Sequence, residues 1–516
     1  MNYTFNLIDQ PWIPCISSNG KVLELSLRDT LNQAHQFRGI AGDSPLETAA
    51  IYRLLLAVIH SALRGPKSSS EWNDLWQAGT WNAPWLNEYL DRWRHRFDLF
   101  DPVCPFFQAD DERVRPKSLI SLAMDAASGN NAALFDHHTE TTGMEVTPSK
   151  AARILITAQL FGLCGLSGLE QKFTDAPWAR GIIFLVEGDN CFQTLALNCL
   201  RFGGDYPTDV PTTGEDQPAW ETDDPNQARE VPFGYLDYLT WQNRRIKLIP
   251  DGDPTSPTIA QVTIAPGLRL AASQLEPFKN YRKDEKYGYL ATRFLEDRVL
   301  WRDSSTLMKI KDRGEHHPPA NFEWVAIQVD HDHIDTHRAL CYMALGMAND
   351  QAKVNFFREE HMPLPLAYLE SNELVGKLET ALLLAEETRK GLRSAASWLA
   401  VLMIAPNDSG KKWNEINRIT KEQATQLYDY WNVDHGYWGA LEIPFYHLLE
   451  GLPNDPGAAM ETWKETLKQA AWKALERAAD QAGNSVQSLK AAVRARSNLG
   501  YQLKQLFPEA EKEVSA

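Results

Sequence analysis

The sequence predicts an α+β protein, with a large, mixed and irregular N-terminal domain over residues 1–365 and a C-terminal antiparallel four-helix bundle over residues 366–516. At 516 residues the chain is too long for one ordinary domain. Up to Met362-Pro363-Leu364-Pro365, short strand-like runs, Pro-rich turns and helices alternate without a regular repeat. Beyond that point apolar residues recur at helical spacing in four stretches with short connections, as in an antiparallel bundle.

Taken in order, Tyr3 to Ile8 and Trp12 to Cys15 read as strands and Leu46 to Leu63 as a helix. Gly181 to Glu187 and Val262 to Ile264 are again strand-like. Asp205 to Asn226 is acidic, rich in Pro, Gly and Thr, and lacks an apolar period, which predicts a loop or mobile insertion; Asp251 to Pro257 is a second break. Met343 to Phe357 sets two apolar segments around the polar residues Asn349, Asp350 and Gln351, the grammar of a hairpin without the usual Asn-Gly or Asp-Gly turn. In the C-terminal part, Leu366 to Ala405 is one long helical run, and Thr420 to Leu449 holds helical segments rich in aromatics. Asn454-Asp455-Pro456 is a cap followed by proline and starts a helix to about Ala482, which Gly483 ends. Ser485 caps a last helix to about Phe507, stopped by Pro508. Trp463, Leu467, Ala471, Trp472 and Leu475 form one apolar stripe.

Six scattered cysteines include no Cys-x-x-Cys pair, so zinc-ribbon spacing is absent and buried free thiols are expected. The most apolar run, Ile51 to Leu63, is interrupted by Arg53 and His60, which argues against a membrane span. The N-terminus lacks a basic region followed by an apolar stretch, so a cytoplasmic protein is expected. The net charge of −16 disfavours nucleic acid over the whole surface but not over any single face. Residues 371–516 carry 17 Lys+Arg and 19 Asp+Glu, leaving 35 and 49 for residues 1–370. Within the latter the basic residues cluster: Arg92, Arg94 and Arg96; Arg113, Arg115 and Lys117; Arg244, Arg245 and Lys247; Lys279, Arg282, Lys283 and Lys286.

Imidazoles alternating with carboxylates in His331-Asp332-His333-Ile334-Asp335-Thr336-His337 supply the ingredients of a hydrolytic metal site, one reading being a metal-dependent hydrolase using His331, His333 and His337. Their spacing fits one poorly, and Asp335 before Arg338 looks like a polar helix start. P-loop, nucleophile-elbow and His-Glu-x-x-His signatures are missing. Gly162 to Gly168 is glycine-rich but lacks the lysine of a phosphate loop. Its glycines let backbone come close to another molecule, as a groove floor would require. Amide side chains at a hairpin tip, as at Asn349 to Gln351, can meet a base step or wedge into a duplex.

These pieces together resemble the CasA family, the large subunits of type I-E CRISPR Cascade surveillance complexes. The resemblance rests on Phe5-Asn6-Leu7-Ile8-Asp9-Gln10-Pro11-Trp12-Ile13-Pro14, on the turn Pro105-Phe106-Phe107-Gln108, and on Asn131 to Phe135, Gly165 to Gly168, Arg282 to Tyr287 and Gly346 to Gln351, in that order along nearly the whole chain. It implies a non-enzymatic, DNA-scanning subunit that tests a duplex for a protospacer-adjacent motif (PAM) from the minor groove. It also implies help in opening the duplex for guide-RNA pairing and recruitment of a trans-acting helicase-nuclease. Other Cascade subunits, the CRISPR guide RNA and double-stranded target DNA are the implied partners, with no membrane, cofactor or metal. Gly165, Leu166, Ser167 and Gly168 correspond to a glycine loop, Lys286 (or Lys283) to a minor-groove lysine, and Gln351, beside Asn349 and Asp350, to a glutamine wedge. Asn131 and Phe135 correspond to the loop that meets the guide RNA's 5′ end and the PAM.

Overall fold

The computed structural model describes residues 3–124, 144–201, 213–296, 298–310, 316–350 and 353–508. The chain forms two compact units, Met1–Arg298 with Thr306–Glu370, and Val299–Ser305 with Ser371–Ala516. The division differs from the expected one in two respects. It falls after Glu370, because Leu366–Glu370 is a separate short helix, and the segment Val299–Ser305 groups with the C-terminal helices.

In the first unit the strands among the described residues are β1 (Ile13–Ser17), β2 (Val22–Leu25), β3 (Phe37–Ile40), β4 (Lys117–Ser118), β5 (Ile183–Glu187), β6 (Arg244–Asp253), β7 (Ser256–Pro266), β8 (Tyr281–Asp284), β9 (Gly288–Ala291), β10 (His316–His317), β11 (Ala339–Asp350) and β12 (Lys353–Pro365). They pair antiparallel in four small sheets, ordered β2-β1-β3, β4-β7-β6, β12-β11-β5 and β10-β8-β9. Tyr3 to Ile8 is not a strand: Asn6 Oδ1 accepts from Ile8 N at 3.1 Å and Asn6 N donates to Gln10 Oε1 at 2.6 Å, so local side-chain bonds turn the backbone where its apolar pattern suggested extension. Asp251 to Pro257 is not a break but the end of the β6–β7 hairpin, paired out to Asp253 and Ser256. The described part of Asp205 to Asn226, from residue 213, is irregular yet anchored. Trp220 is buried there, as is Asp216, which accepts from Leu236 N and Asp237 N and is pushed up to about 6 by burial.

The helix Pro45–Leu63 runs through the core of this unit. Ser44 Oγ accepts from Glu47 N, Pro45 stands in the first turn, and Arg64 at φ 49° ends it. Among the described residues it is the one helix long and apolar enough to cross a membrane, and 94% of that apolar window is buried in the fold. Arg53, at its centre and 1% exposed, is hydrogen-bonded through each of its three guanidinium nitrogens. It pairs with Glu276 at 3.1 Å, donates to Leu239 O at 3.0 Å and Tyr238 O at 2.5 Å, and lies over the Trp178 and Tyr238 rings. Tyr238 Oη donates to the same Glu276 carboxylate.

In the second unit the helix Asn372–Ile404 packs against four others, Arg418–Tyr430, Val433–Gly451, Pro456–Gln481 and Val486–Leu506. The expected starts are built as caps: Asp455 accepts from Ala458 N with Pro456 in the first turn, and Ser485 accepts from Ser488 N. Trp463, Leu467, Ala471 and Leu475 are buried on one stripe, while Trp472 is half-buried against Gly500. Trp463 Nε1 and Tyr437 Oη donate to the Ala381 and Ala385 carbonyls at 2.9 Å. Trp301, from the inserted segment, stacks on Phe445 with centroids 4.6 Å apart and meets Trp438 and Trp463 edge-on.

Arg53→Met leaves the buried Glu276 carboxylate without its cation and is expected to destabilise the first unit by about 3–5 kcal/mol. The double change Arg53→Met with Glu276→Gln should cost less than the sum of the single ones. Urea unfolding followed by tryptophan fluorescence measures both.

Candidate nucleic-acid interface

The glycine loop follows the helix Pro148–Phe161, which Thr147 caps. Gly162 stands at the end of this helix, where a Cβ would lie 2.8 Å from the Arg244 guanidinium and 2.9 Å from Ala158 O. Reaching in from β6, that guanidinium donates to Leu163 O at 2.8 Å and Thr174 O at 2.9 Å, one on each arm of the loop, and stacks over Phe173. Burial pushes it down to about 10. Asp175 secures the same base, accepting from Cys164 N at 2.8 Å and pairing with Arg180 at 2.9 Å. Farther out, Gly165 and Phe173 exchange both backbone hydrogen bonds. Ser167 Oγ accepts from Leu169 N and donates to Gln171 O, and Gly168 has φ +79°. A Cβ built on Gly165 or Gly168 meets nothing within 4 Å, and Leu166 is 85% exposed. The result is a projecting lobe, rigid at its base, with backbone open to close approach.

The β8–β9 hairpin pairs from Tyr281 and Ala291 out to Asp284 and Gly288. Glu285, Lys286 and Tyr287 form its three-residue loop, closed by Gly288 in the left-handed region at φ +74°. Asp284 Oδ1 accepts from both Lys286 N and Tyr287 N at 2.9 Å. Lys286 thus stands at the tip, its Nζ 4.8 Å from the Tyr287 ring centroid, whereas Lys283 sits on the strand opposite Tyr289. The hairpin itself escaped the sequence reading, although Asp284 and Gly288 around a three-residue loop were its signal; Arg244, hidden in a basic run, offered no signal at all.

The third projection is the β11–β12 ribbon, longer than the expected Met343 to Phe357. It pairs from Ala339 and Pro365 out to Asp350 and Lys353, with a bulge between Ala348 and Asn349. β5 covers only Cys341 to Leu345, so the ribbon runs beyond its sheet. Asn349 is half-buried and opposite Val354, and Asp350 ends β11. Gln351, like Asn131 and Phe135, lies outside the described residues.

All three projections leave one glycine-lined junction. A Cβ on Gly346, just past the end of β5, would meet Gly181 O at 3.1 Å. Gly181, at φ +92°, has Ala291 Cβ of β9 2.8 Å from its own Cβ position, and Ile182 N donates to Thr292 O at 2.9 Å. The neighbouring Arg180 is the residue paired with Asp175 under the glycine loop. Lys279 lies alongside, buried, donating to Pro177 O at 2.7 Å and pushed down to about 8 by burial.

Internal contacts absorb most of the other basic clusters. Arg94 pairs with Asp9, Arg113 with Asp111 and Lys247 with Asp110, and Arg96 donates to Trp220 O and Thr222 O. Arg282, Lys283 and Lys286 are exposed. The histidine cluster is not the expected helix start: residues 331–338 are turns leading into β11. His331 Nδ1 and His333 Nδ1 both face Ser69 Oγ, at 2.8 and 3.1 Å, and His337 N donates to Asp335 Oδ1. Among the described residues no three or more His, Cys, Asp or Glu side chains come together to hold a metal ion.

Gly181→Ala adds a methyl group where both space and φ oppose it, at an expected cost of about 1–3 kcal/mol. Hydrogen exchange should then quicken together in residues 164–173, 281–291 and 346–350, which the junction joins.

The family described as CRISPR-associated protein Cse1 matches residues 6–474. A CasA/Cse1 protein of Thermus thermophilus is 33% identical over 525 residues, with 98% of each chain covered. The crystal structure of a Thermus thermophilus CasA superposes with a TM-score of 0.80 at 29% identity, over 97% of this chain and 99% of the other. A chain of a CRISPR RNA-guided surveillance complex shares the fold at 19% identity, with a TM-score of 0.76 over 96% of this chain and 100% of its own. The chain belongs to the CasA/Cse1 family of CRISPR-associated proteins.

Proposed function

We propose that this protein is the DNA-scanning subunit of a cytoplasmic RNA-guided antiviral surveillance complex, non-enzymatic and without a cofactor. The observation that carries the reading is the common junction, which gives the glycine loop, the lysine hairpin and the β11–β12 ribbon a single origin. Backbone at Gly165 to Gly168, with Leu166 and Ser167, approaches the PAM, and the Lys286 ammonium enters the minor groove. That groove offers a degenerate hydrogen-bond pattern, so a lysine and open backbone give a permissive test of a short motif. Base pairing with the guide then supplies the sequence discrimination. Gln351, beside Asn349 and Asp350, wedges the duplex open; Asn131 and Phe135 meet the guide RNA's end. Other Cascade subunits complete the assembly, and a trans-acting helicase-nuclease is recruited to it.

An overall acidic subunit suits this role, because with the cationic contact left to Lys286 the remaining acidic surface limits unspecific attraction to DNA. In an assembled complex, Gln351→Ala is expected to abolish or strongly weaken opening of duplex target while leaving binding to a pre-melted target intact. Gel-shift and permanganate footprinting on the two substrates measure this, and equal loss on both counts against a wedge. Lys286→Ala should lower affinity for PAM-bearing duplex and reduce the salt slope by about one counterion. If Lys283→Ala does so instead, the minor-groove lysine is the other one.

A further inference from the structure

The small β10-β8-β9 sheet has a second usable surface, away from its tip. Lys283 is directly opposite Tyr289 in the β8–β9 register, and Tyr281 is opposite both Ala291 and His317. Directly opposed residues share a face, and faces alternate along a strand. One face therefore carries Lys283, Tyr289, Tyr281 and His317, while Arg282, Leu290 and His316 lie on the other.

The shared face is built in layers. Tyr281 is buried, and its hydroxyl accepts from Glu276 N at 2.9 Å. His317 stands edge-on to Tyr281 at 6.1 Å and to Tyr289 at 6.0 Å between centroids, so it braces the outer ring against a fixed inner one. Tyr289 is 38% exposed, and Lys283 beside it is exposed as well. A braced aromatic ring next to an exposed ammonium on a strand face is what single-stranded nucleic-acid sites use: the ring takes a base by stacking and the cation takes the adjoining phosphate. Bases inside a duplex are stacked on one another and have no face to offer such a ring.

We propose that Lys283 and Tyr289, braced by His317, form a seat for one unpaired nucleotide, distinct from the Lys286 tip that contacts duplex. The inference rests on the nucleic-acid role proposed above and divides it: the two lysines of one hairpin serve two forms of the ligand. The unpaired nucleotide belongs either to a separated DNA strand or to an unpaired end of RNA, which present the same base and phosphate chemistry.

The test titrates fluorescent oligothymidylate, oligouridylate and a PAM-bearing duplex with full-length protein, reading anisotropy over a range of salt. Tyr289→Ala should weaken single-strand binding about tenfold while Tyr289→Phe keeps it, because stacking needs a ring and not the hydroxyl. Lys283→Ala should flatten the single-strand salt slope by about 0.7. Tyr289→Ala should not move duplex affinity, which Lys286→Ala should lower. Loss on oligothymidylate alone identifies the DNA strand as the source, loss on oligouridylate alone the RNA, and loss on both supports a seat that accepts either. Unchanged single-strand affinity in Tyr289→Ala, or equal loss in Tyr289→Phe, overturns the proposal. If Tyr289→Ala lowers the unfolding midpoint, Lys283→Ala, a surface change, decides: an unchanged single-strand slope rejects the seat. A duplex affinity that ignores Lys286→Ala while the Tyr289→Ala effect persists would reject the minor-groove role and leave the seat standing.

Discussion

The buried pair of Arg53 and Glu276 holds the first unit in register. A guanidinium in the middle of an apolar helix is tolerable only when every donor finds a partner, since desolvation of the charge otherwise outweighs any gain from packing. Here the partners come from distant parts of the chain: the Tyr238–Leu239 carbonyls, the Glu276 carboxylate, and the Trp178 and Tyr238 rings. Glu276 passes the constraint on. Its backbone N–H meets Tyr281, where β8 begins, and its carboxylate also binds Phe278 N, next to Lys279. Lys279 reaches Pro177, a short step from Arg180 and Gly181. Hydrogen bonds and short stretches of chain therefore connect the core helix to the glycine junction from which the projections leave.

Elements whose signals are local were legible in the sequence. Ser44 is a cap, Asp455-Pro456 and Ser485 start helices, and the Trp463 to Leu475 stripe is buried, because caps and helical period depend on residues within a turn or two. The apolar segments around Asn349 gave away a hairpin, but not its full length, since pairing continues at the base through Ala339–Tyr342 and on to Pro365, where Arg358-Glu359-Glu360-His361 breaks the apolar pattern that marks a strand. Two strand and loop expectations failed for a shared reason. Asn6 and Asp253 side chains bond to nearby backbone and choose turns that the apolar pattern alone does not reveal.

The basic residues make the same point about charge. Four clusters look alike in sequence, yet carboxylates and carbonyls far along the chain draw in Arg94, Arg96 and Lys247, a carboxylate two residues away takes Arg113, and the interior takes Arg244 and Lys279. Only the fold distinguishes a basic residue that holds a loop from one that faces solvent. Arg244 is the clearest instance: its donors shape the glycine loop without being part of it, and Gly162 is a glycine because that guanidinium needs the room.

Val299–Ser305 is a short stretch, but it changes how separable the two units are. The chain passes between them at 298/299, at 305/306 and again at 370/371, so cutting any one of these links leaves the others in place. The helical unit owns a tryptophan that is made well before its helices, and during synthesis Trp301 must wait for Trp438, Phe445 and Trp463 to appear. A protease nick after Glu370 would leave Trp301 covalently tied to the first unit while it still packs among the helices. Recombination that exchanged the C-terminal helices between relatives would succeed only if this seven-residue stretch, Val299–Ser305, travelled with them.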